Sequence, residues 1–459
     1  MPKNTFIMIR KILIFGLAVC MWSCKQGATT TESPATSSDS TKTADNVPFP
    51  DFGFMVPGYT GPVFKLSQDY PDSLSTAPLP GFFKIDYKKD WRAYLDSVKA
   101  YCFAGNTDVN FKVEYNKLRK WYHMPWQHYG PNGREGFNGL TQEAPVAAYQ
   151  LAPTQTIDTS GAVAVGLYND VAGYTIGKVW KHHYAPDSSN NVSFKNGAVL
   201  FKLLFVTLPE ENIAQQVPYL QNGIWWDAYA ATNFKKPLAR HKAKVVLIQM
   251  DIMVRDDNAP NGWVFGNFEY NGLLNHKNKW DNLIPVGIMW GEDPKDTTNA
   301  SNPKPTKTII NPKLVETIIN PDTKELPATH LGWNSRLNGP VDNPMSSCYS
   351  CHSTAEYPEL TPMSPLFVDS LRVKYPPGSP GWMQWFQNLK CGVPFNTNAK
   401  SMDFSLQLSA SIQYFKQWKE TQGGLFSAAY KPANRTMLLK TTVGSKKPTV
   451  YPVAFPTPK

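Results

Sequence analysis

One short stretch of the sequence combines residue types and spacing that can do chemistry: Cys348-Tyr349-Ser350-Cys351-His352. Two thiols separated by two residues can each add to a vinyl group of a haem. The next residue, a histidine, then falls under the iron as its proximal ligand. Covalent attachment prevents haem loss, which matters outside the cytoplasm. A thioredoxin-like Cys-x-x-Cys pair gives no reason for the following histidine and sits at a strand-to-helix turn, whereas Pro344 and Ser347 precede this one. A zinc site wants a second ligand pair at suitable spacing, and none is evident nearby. The motif occurs once. It implies one covalent haem c held by Cys348 and Cys351, with His352 on the iron.

The iron's other face is open to two readings. Met345, Met363, Met383 and Met402 lie near enough in sequence to be considered as a sixth ligand. Met402 stands just before a helical stretch, and Met383 sits in a loop between Gly381 and Trp385. For any one of them packing is the simpler role. The alternative is an empty distal position, which binds small ligands rather than only passing electrons.

Lys202 is a second unusual residue. It interrupts an apolar strand face formed by Leu200, Leu204 and Val206. A buried ammonium is costly unless it is paired or deprotonated. Lys202 therefore either reaches the sheet edge or a carboxylate, or it faces the haem pocket. His123 and His128, five apart around Pro125, do not share a helix face and read as part of a packed loop. Arg134, Glu135 and Arg336 are candidates to meet haem propionates or a substrate.

Six cysteines are present. Cys20 and Cys24 belong to the N-terminus, and two more to the haem motif. Cys102 and Cys391 remain, and in an oxidising compartment they either pair as a disulfide or stay as buried thiols.

The elements that must position these residues follow from periodicity. Tyr87, Trp91, Leu95, Val98 and Cys102 recur at helical spacing, as do Phe404, Leu408, Ile412 and Phe415, with Ser401 or Asp403 as N-cap. Between them the chain reads mostly as strands. Val199, Phe201, Leu203 and Phe205 alternate with the Lys202 face, and Val246 to Val254 form another strand. Asn261-Gly262 turns that strand into its hairpin partner, Trp263 to Tyr270. The fold class is α+β, an antiparallel sheet with peripheral helices and the haem motif in the C-terminal third. The expected organisation is an N-terminal helical and loop region (51–160), a β-rich core (161–293), a long connection rich in Pro, Asn and Thr (294–345) and a haem-attachment region with a C-terminal helix (346–459).

Residues 1–23 read as a targeting segment rather than structure. Lys3, Arg10 and Lys11 precede an apolar stretch from Ile12 to Trp22. It ends at Met21-Trp22-Ser23-Cys24, which resembles a bacterial lipobox with Cys24 as the acylated residue; Met21 and Trp22 depart from the usual pattern, and simple secretion is the alternative. Residues 24–50, with their Ser- and Thr-rich run from Gln26 to Asn46, read as a flexible tether. After residue 23 no run approaches the roughly 18 apolar residues of a membrane span. The expected location is the bacterial envelope, lipid-anchored, on the outer membrane facing periplasm or surface. The formal charge of +10 is scattered along the chain, without a nucleic-acid module, and suits acidic redox partners or anionic lipid heads.

The order of segments also resembles a known family. Val165-Gly166-Leu167-Tyr168-Asn169-Asp170, then Phe194-Lys195-Asn196-Gly197 to Lys202, then Met250 to Asp256 and Asn261-Gly262-Trp263-Val264-Phe265 lead up to Cys348. This is similar to the cytochrome P-460 type of haem protein and the β-sheet cytochromes c-prime, over residues 160 to 355. In the namesake proteins the lysine matching Lys202 is cross-linked to the haem, which the resemblance implies here; many relatives lack that link. A long insertion before the motif and extra segments at both ends depart from the family. The phrase Trp333-Asn334-Ser335-Arg336-Leu337-Asn338-Gly339-Pro340 resembles a group of large single-haem envelope cytochromes, for which no activity is implied.

Electron transfer with envelope redox partners is the leading expectation. The alternative is a P-460-like enzyme or ligand-binding protein acting on hydroxylamine, nitric oxide or a similar small molecule at the iron. A third reading has a structural haem and a large body that captures some substrate. The chain is larger than electron carriage requires, which keeps the enzyme reading open.

Overall fold

Alternating apolar side chains make one antiparallel sheet the centre of the molecule. The computed structural model describes residues 49, 59, 61–127, 133–157, 160–231, 240–298, 304–366 and 375–421. Cys24, the targeting segment, the tether up to residue 48 and His128 lie outside the described residues.

Eight strands among the described residues form the main sheet: β1 (Thr141–Val146), β2 (Ser160–Tyr168), β3 (Val199–Val206), β4 (Trp225–Ala230), β5 (His241–Arg255), β6 (Trp263–Tyr270), β7 (Leu283–Met289) and β8 (Thr317–Ile319). Their order is β1-β2-β3-β5-β6-β7-β8, with β4 also paired to β5, and every pairing is antiparallel. The expected β5–β6 hairpin is present, and Gly262 takes a φ of +92°, which a glycine adopts without strain.

Successive side chains of a strand point to opposite faces, so each face collects its own core. On one face Phe201, Leu203, Ile252, Val264 and Phe268 pack with helix α1 (Trp91–Phe103). Asp90 caps that helix, accepting from Ala93 N at 3.3 Å. A Cβ on Gly266 would stand 2.5 Å from Leu95 Cδ2, so this glycine lets α1 approach β6 closely.

The opposite face carries Tyr168, Leu200, Met253, Trp263 and Phe265. Helix α2 (Asp170–Val179) covers it, capped by Asn169, whose side chain accepts from Ala172 N at 3.0 Å. No helix was expected over this stretch from the sequence. After the one-turn α3 (Ile213–Gln216), the same face receives α4 (Cys348–Ser353) and α5 (Leu406–Thr421). Helix α5 is capped by neither Ser401 nor Asp403. Ser405 does it, its Oγ accepting from Leu408 N at 3.3 Å.

The two-sided sheet also corrects the cysteine pairing. Cys102 is a free thiol inside the α1-side core, and Cys391 is a free thiol packed with the opposite core. A Cβ on Gly262 would stand 2.6 Å from Cys391 Sγ, so Cys391 is seated against the β5–β6 turn. The sheet lies between the two thiols, and no disulfide joins them.

Candidate haem site

The motif cysteines open a short helix whose start is fixed by side chains. Ser347 is the N-cap of α4, accepting from Ser350 N at 2.9 Å, while Ser350 Oγ accepts from Ser347 N at 2.8 Å. This reciprocal pair is a capping box. Ser347 Oγ also donates to the buried Glu292 carboxylate. Cys348 and Cys351 are both free thiols, the form that can add to a vinyl group. Burial pushes the Cys348 thiol well up and the Cys351 thiol to about 12.

His352 closes the motif with a defined ring orientation. Its Nδ1 lies 2.8 Å from the carbonyl oxygen of Phe404. An Nδ1–H donated to that carbonyl leaves Nε2 as the ring's free lone pair, which is how a metal-binding histidine is held. Burial lowers the imidazole pKa to about 4, against the Phe404 hydrogen bond and helped by the charge of Lys202. The ring is therefore neutral at physiological pH, the ligating form.

The carbonyl that holds His352 sits in an unusual turn. Asp403 and Phe404 have φ of 48° and 64°, a left-handed conformation that costs roughly 1–2 kcal/mol per ordinary residue. The Asp403 carboxylate offsets this by accepting from Trp263 Nε1 at 3.0 Å, Phe194 N at 2.5 Å and Gly392 N at 2.9 Å. The two-stranded ribbon β9 (Glu356–Tyr357) with β10 (Lys400–Ser401) brings this turn beside α4. Met402 N then donates to Ala355 O at 2.8 Å.

That arrangement places the candidate sixth ligands. Met402 is fully buried in apolar core, two residues before the Phe404 carbonyl that meets His352 Nδ1. Met383 and Met345 pack against a separate aromatic cluster of Trp333, Trp382, Trp385 and Phe386. Met363 is half-buried in the segment after the motif.

Lys202 is paired with a carboxylate. Its Nζ pairs with Glu143 Oε2 at 3.3 Å, and its charge reaches His352. Burial alone would lower its pKa, but Glu143, Asp251 and Asp342 outweigh that and raise it. Strand register explains the company: Gly166, Lys202, Asp251, Asn267 and Gly287 lie opposite one another across β2, β3, β5, β6 and β7. Gln249 and Glu269 form the neighbouring pair on that face. A polar strip thus crosses an otherwise apolar sheet beside α4. Sequence reasoning found only Lys202. The signal for the rest was the same, polar residues two apart within apolar strands.

Cys348, Cys351, His352, Lys202, Asp251 and Asp342 each keep part of their surface accessible, yet surrounding atoms desolvate each of them strongly. Groups with both properties line a recess rather than an outer surface. Paired thiols, an oriented neutral imidazole and a recess at their side fit a covalent haem. When bound, that group would supply one-electron redox chemistry. Among the described residues no group of three or more His, Cys, Asp or Glu is placed to hold a bare metal ion.

The other candidates are held largely by main-chain bonds. Arg336 is fully buried and donates to the carbonyls of Glu292 (2.8 Å), Trp333 (3.3 Å), Asp293 (3.0 Å) and Asp296 (3.0 Å). Its Nε is also 3.2 Å from Glu292 Oε2. Glu135 accepts from the backbone N–H groups of Phe137, Asn138, Leu140 and Tyr229. Arg134 Nη2 donates to Met124 O at 3.1 Å, and His123 Nδ1 accepts from Ser67 N at 3.0 Å. These backbone bonds fasten loops and turns to one another.

No family model, no curated protein and no solved structure matches the chain.

Proposed function

We propose that the chain is a mono-haem c-type cytochrome of the bacterial envelope, anchored through Cys24, that passes single electrons to and from redox partner proteins. The observation that carries the reading is the His352–Phe404 hydrogen bond, which holds a neutral imidazole with Nε2 free directly after two unpaired, correctly spaced thiols. Cys348 and Cys351 would hold the haem, His352 would ligate the iron, and the Phe404 carbonyl keeps the ring in place. No helix among the described residues is long and apolar enough to cross a membrane; an acyl group on Cys24 would supply the attachment. A tether of that kind raises the effective concentration of the haem near membrane partners.

The test is the exported protein purified and denatured. Haem that stays with the polypeptide, and is lost from Cys348→Ala/Cys351→Ala, supports the reading. A chain without haem after export with the attachment machinery would overturn it.

A second reading, P-460-like chemistry on hydroxylamine, nitric oxide or a similar small molecule, is favoured by one observation. The charge of Lys202 reaches His352, and those of Asp251 and Asp342 reach the motif cysteines. Low-spin ferrous and ferric spectra that ignore nitric oxide favour the electron carrier. A high-spin iron that binds nitric oxide favours the second reading. A red-shifted Soret band abolished in Lys202→Ala would identify the lysine cross-link, and an unchanged band would remove it.

A further inference from the structure

Two carboxyl groups beside the haem-attachment helix are joined through a single amide nitrogen. Gln249 Nε2 donates to Asp251 Oδ1 at 2.8 Å and to Asp342 Oδ2 at 2.9 Å. The carboxamide is fixed from its other end, because Gln249 Oε1 accepts from Val341 N at 3.2 Å. Asn267 Nδ2 also donates to Asp251, and Gly339 N donates to Asp342 Oδ2 at 2.9 Å. One acid comes from the sheet and the other from the segment that leads into the motif, so the pair spans the two parts of the molecule that enclose the recess.

The charges around the pair do not balance. Lys202 on β3 is the cation that acts on both acids, and it is already paired with Glu143 of β1. Glu269 lies on the same sheet face, one pair along from Asp251 and Asn267. His330, from the segment that carries Asp342, has its Nε2 2.8 Å from Pro340 O, and burial lowers its pKa, so it adds no charge at neutral pH. From α4 the pair meets Cys348 and Cys351, which burial keeps protonated as thiols and which would be uncharged thioethers once haem is attached. Two close carboxyls in a desolvated site with one shared cation are costly to ionise together, so the pair binds a proton within reach of neutral pH. Burial raises both acids, Asp251 to about 7 with the charge of Asp342 adding to the effect.

We propose that Asp251 and Asp342 form a shared proton site that takes up one proton when the haem of the cytochrome accepts one electron, and releases it on oxidation. The inference rests on the haem reading above. A one-electron donor protein supplies the electron that takes ferric iron to ferrous, and water entering the recess supplies the proton. One carboxylate of the pair becomes a carboxylic acid, so the added negative charge is neutralised where it arises. No bond between heavy atoms forms or breaks.

The experiment uses the full-length, haem-loaded protein. Its midpoint potential is measured against pH, for the wild type and for Asp251→Asn and Asp342→Asn. The wild type should approach about 59 mV per pH unit around neutrality, the value of a tenfold change in proton concentration for a one-electron couple. Each variant should flatten that slope. A redox-difference infrared spectrum of the wild type, which needs no variant, should gain a protonated-carboxyl C=O band on reduction that shifts in deuterated water. A wild type with haem but a flat potential and no such band overturns the inference alone. So does a slope that survives unchanged in both variants. A wild type without haem overturns the cytochrome reading and this inference together.

Discussion

The Nδ1 atom of His352 is tied at 2.8 Å to the carbonyl of Phe404, 52 residues further along the chain. That carbonyl is presented by a left-handed turn whose strain is offset by the Asp403 carboxylate and its three N–H donors. Asp403→Ala should therefore cost about 3 kcal/mol, since bonds to a charged acceptor are worth roughly 1.5–3 kcal/mol each and the stranded donors are buried. It should also release the imidazole, seen as a shifted midpoint potential and altered ferric electron paramagnetic resonance. Asp403→Asn, which keeps some acceptors, should fall between. Normal stability with an unaltered resonance spectrum would show that the turn does not position His352.

How much of this was legible in the sequence depends on distance along the chain. The Cys348–His352 motif was legible because it lies in five consecutive residues. β3 and the β5–β6 hairpin were legible because their alternation is local. The partner of His352 was not, because it is a main-chain carbonyl, and no side-chain pattern marks a carbonyl. Helix α2 was hidden because Asn169 ends an apolar strand and starts a helix in the same residue. The Asp251–Asp342 pair was hidden because strand register and a distant segment bring the two acids together. The Cys102–Cys391 disulfide was a reading from count and compartment, and only the fold puts the sheet between them. The targeting segment, the tether and Cys24 remain readings of sequence alone.

Gly339 should tolerate no side chain. A Cβ there would stand 2.1 Å from Gln249 Cδ, and that carboxamide is fixed by its bonds to Asp251, Asp342 and Val341. Overpacking of this kind costs about 1–3 kcal/mol. Gly339→Ala should lower the denaturant midpoint by that amount and perturb the proton site. Unchanged stability would mean that the carboxamide moves aside freely.

Arg336 should be among the most sensitive positions outside the motif. Its guanidinium spans four main-chain carbonyls around residues 292–296 and 333, and stacks over Trp333 at 4.7 Å and Phe386 at 5.1 Å. Arg336→Met strands several buried acceptors at about 1–3 kcal/mol each, so a loss of about 3–5 kcal/mol is expected. Arg336→Lys should recover little, because a point-like ammonium cannot reproduce the planar fork. Equilibrium urea unfolding measures both variants, and a near wild-type Arg336→Lys would contradict the argument.

Membrane attachment should depend on one atom. Cys24→Ala should move the protein from the membrane to the soluble fraction of the envelope without changing its haem content. Retention on the membrane after that change would count against acylation at Cys24.

Glu292 gives a pH dependence whose sign can be worked out. Burial raises its carboxyl from 4.5 to about 8, against the opposing influence of Arg336 and the Ser347 hydroxyl. The folded state therefore binds this proton more tightly than the unfolded chain. The contribution to stability is fully present below the unfolded pKa, near 4.5, and is lost as pH rises through about 8. Glu292→Gln removes the titration and keeps a group able to accept from Ser347. The unfolding free energy of the wild type minus that of Glu292→Gln should fall between about pH 5 and pH 9 and level off above, which isolates this residue from all others that titrate. A difference that stays flat across that window would mean Glu292 is already ionised against Arg336 at neutral pH, and the cap of the haem-attachment helix would then rest on a full ion pair.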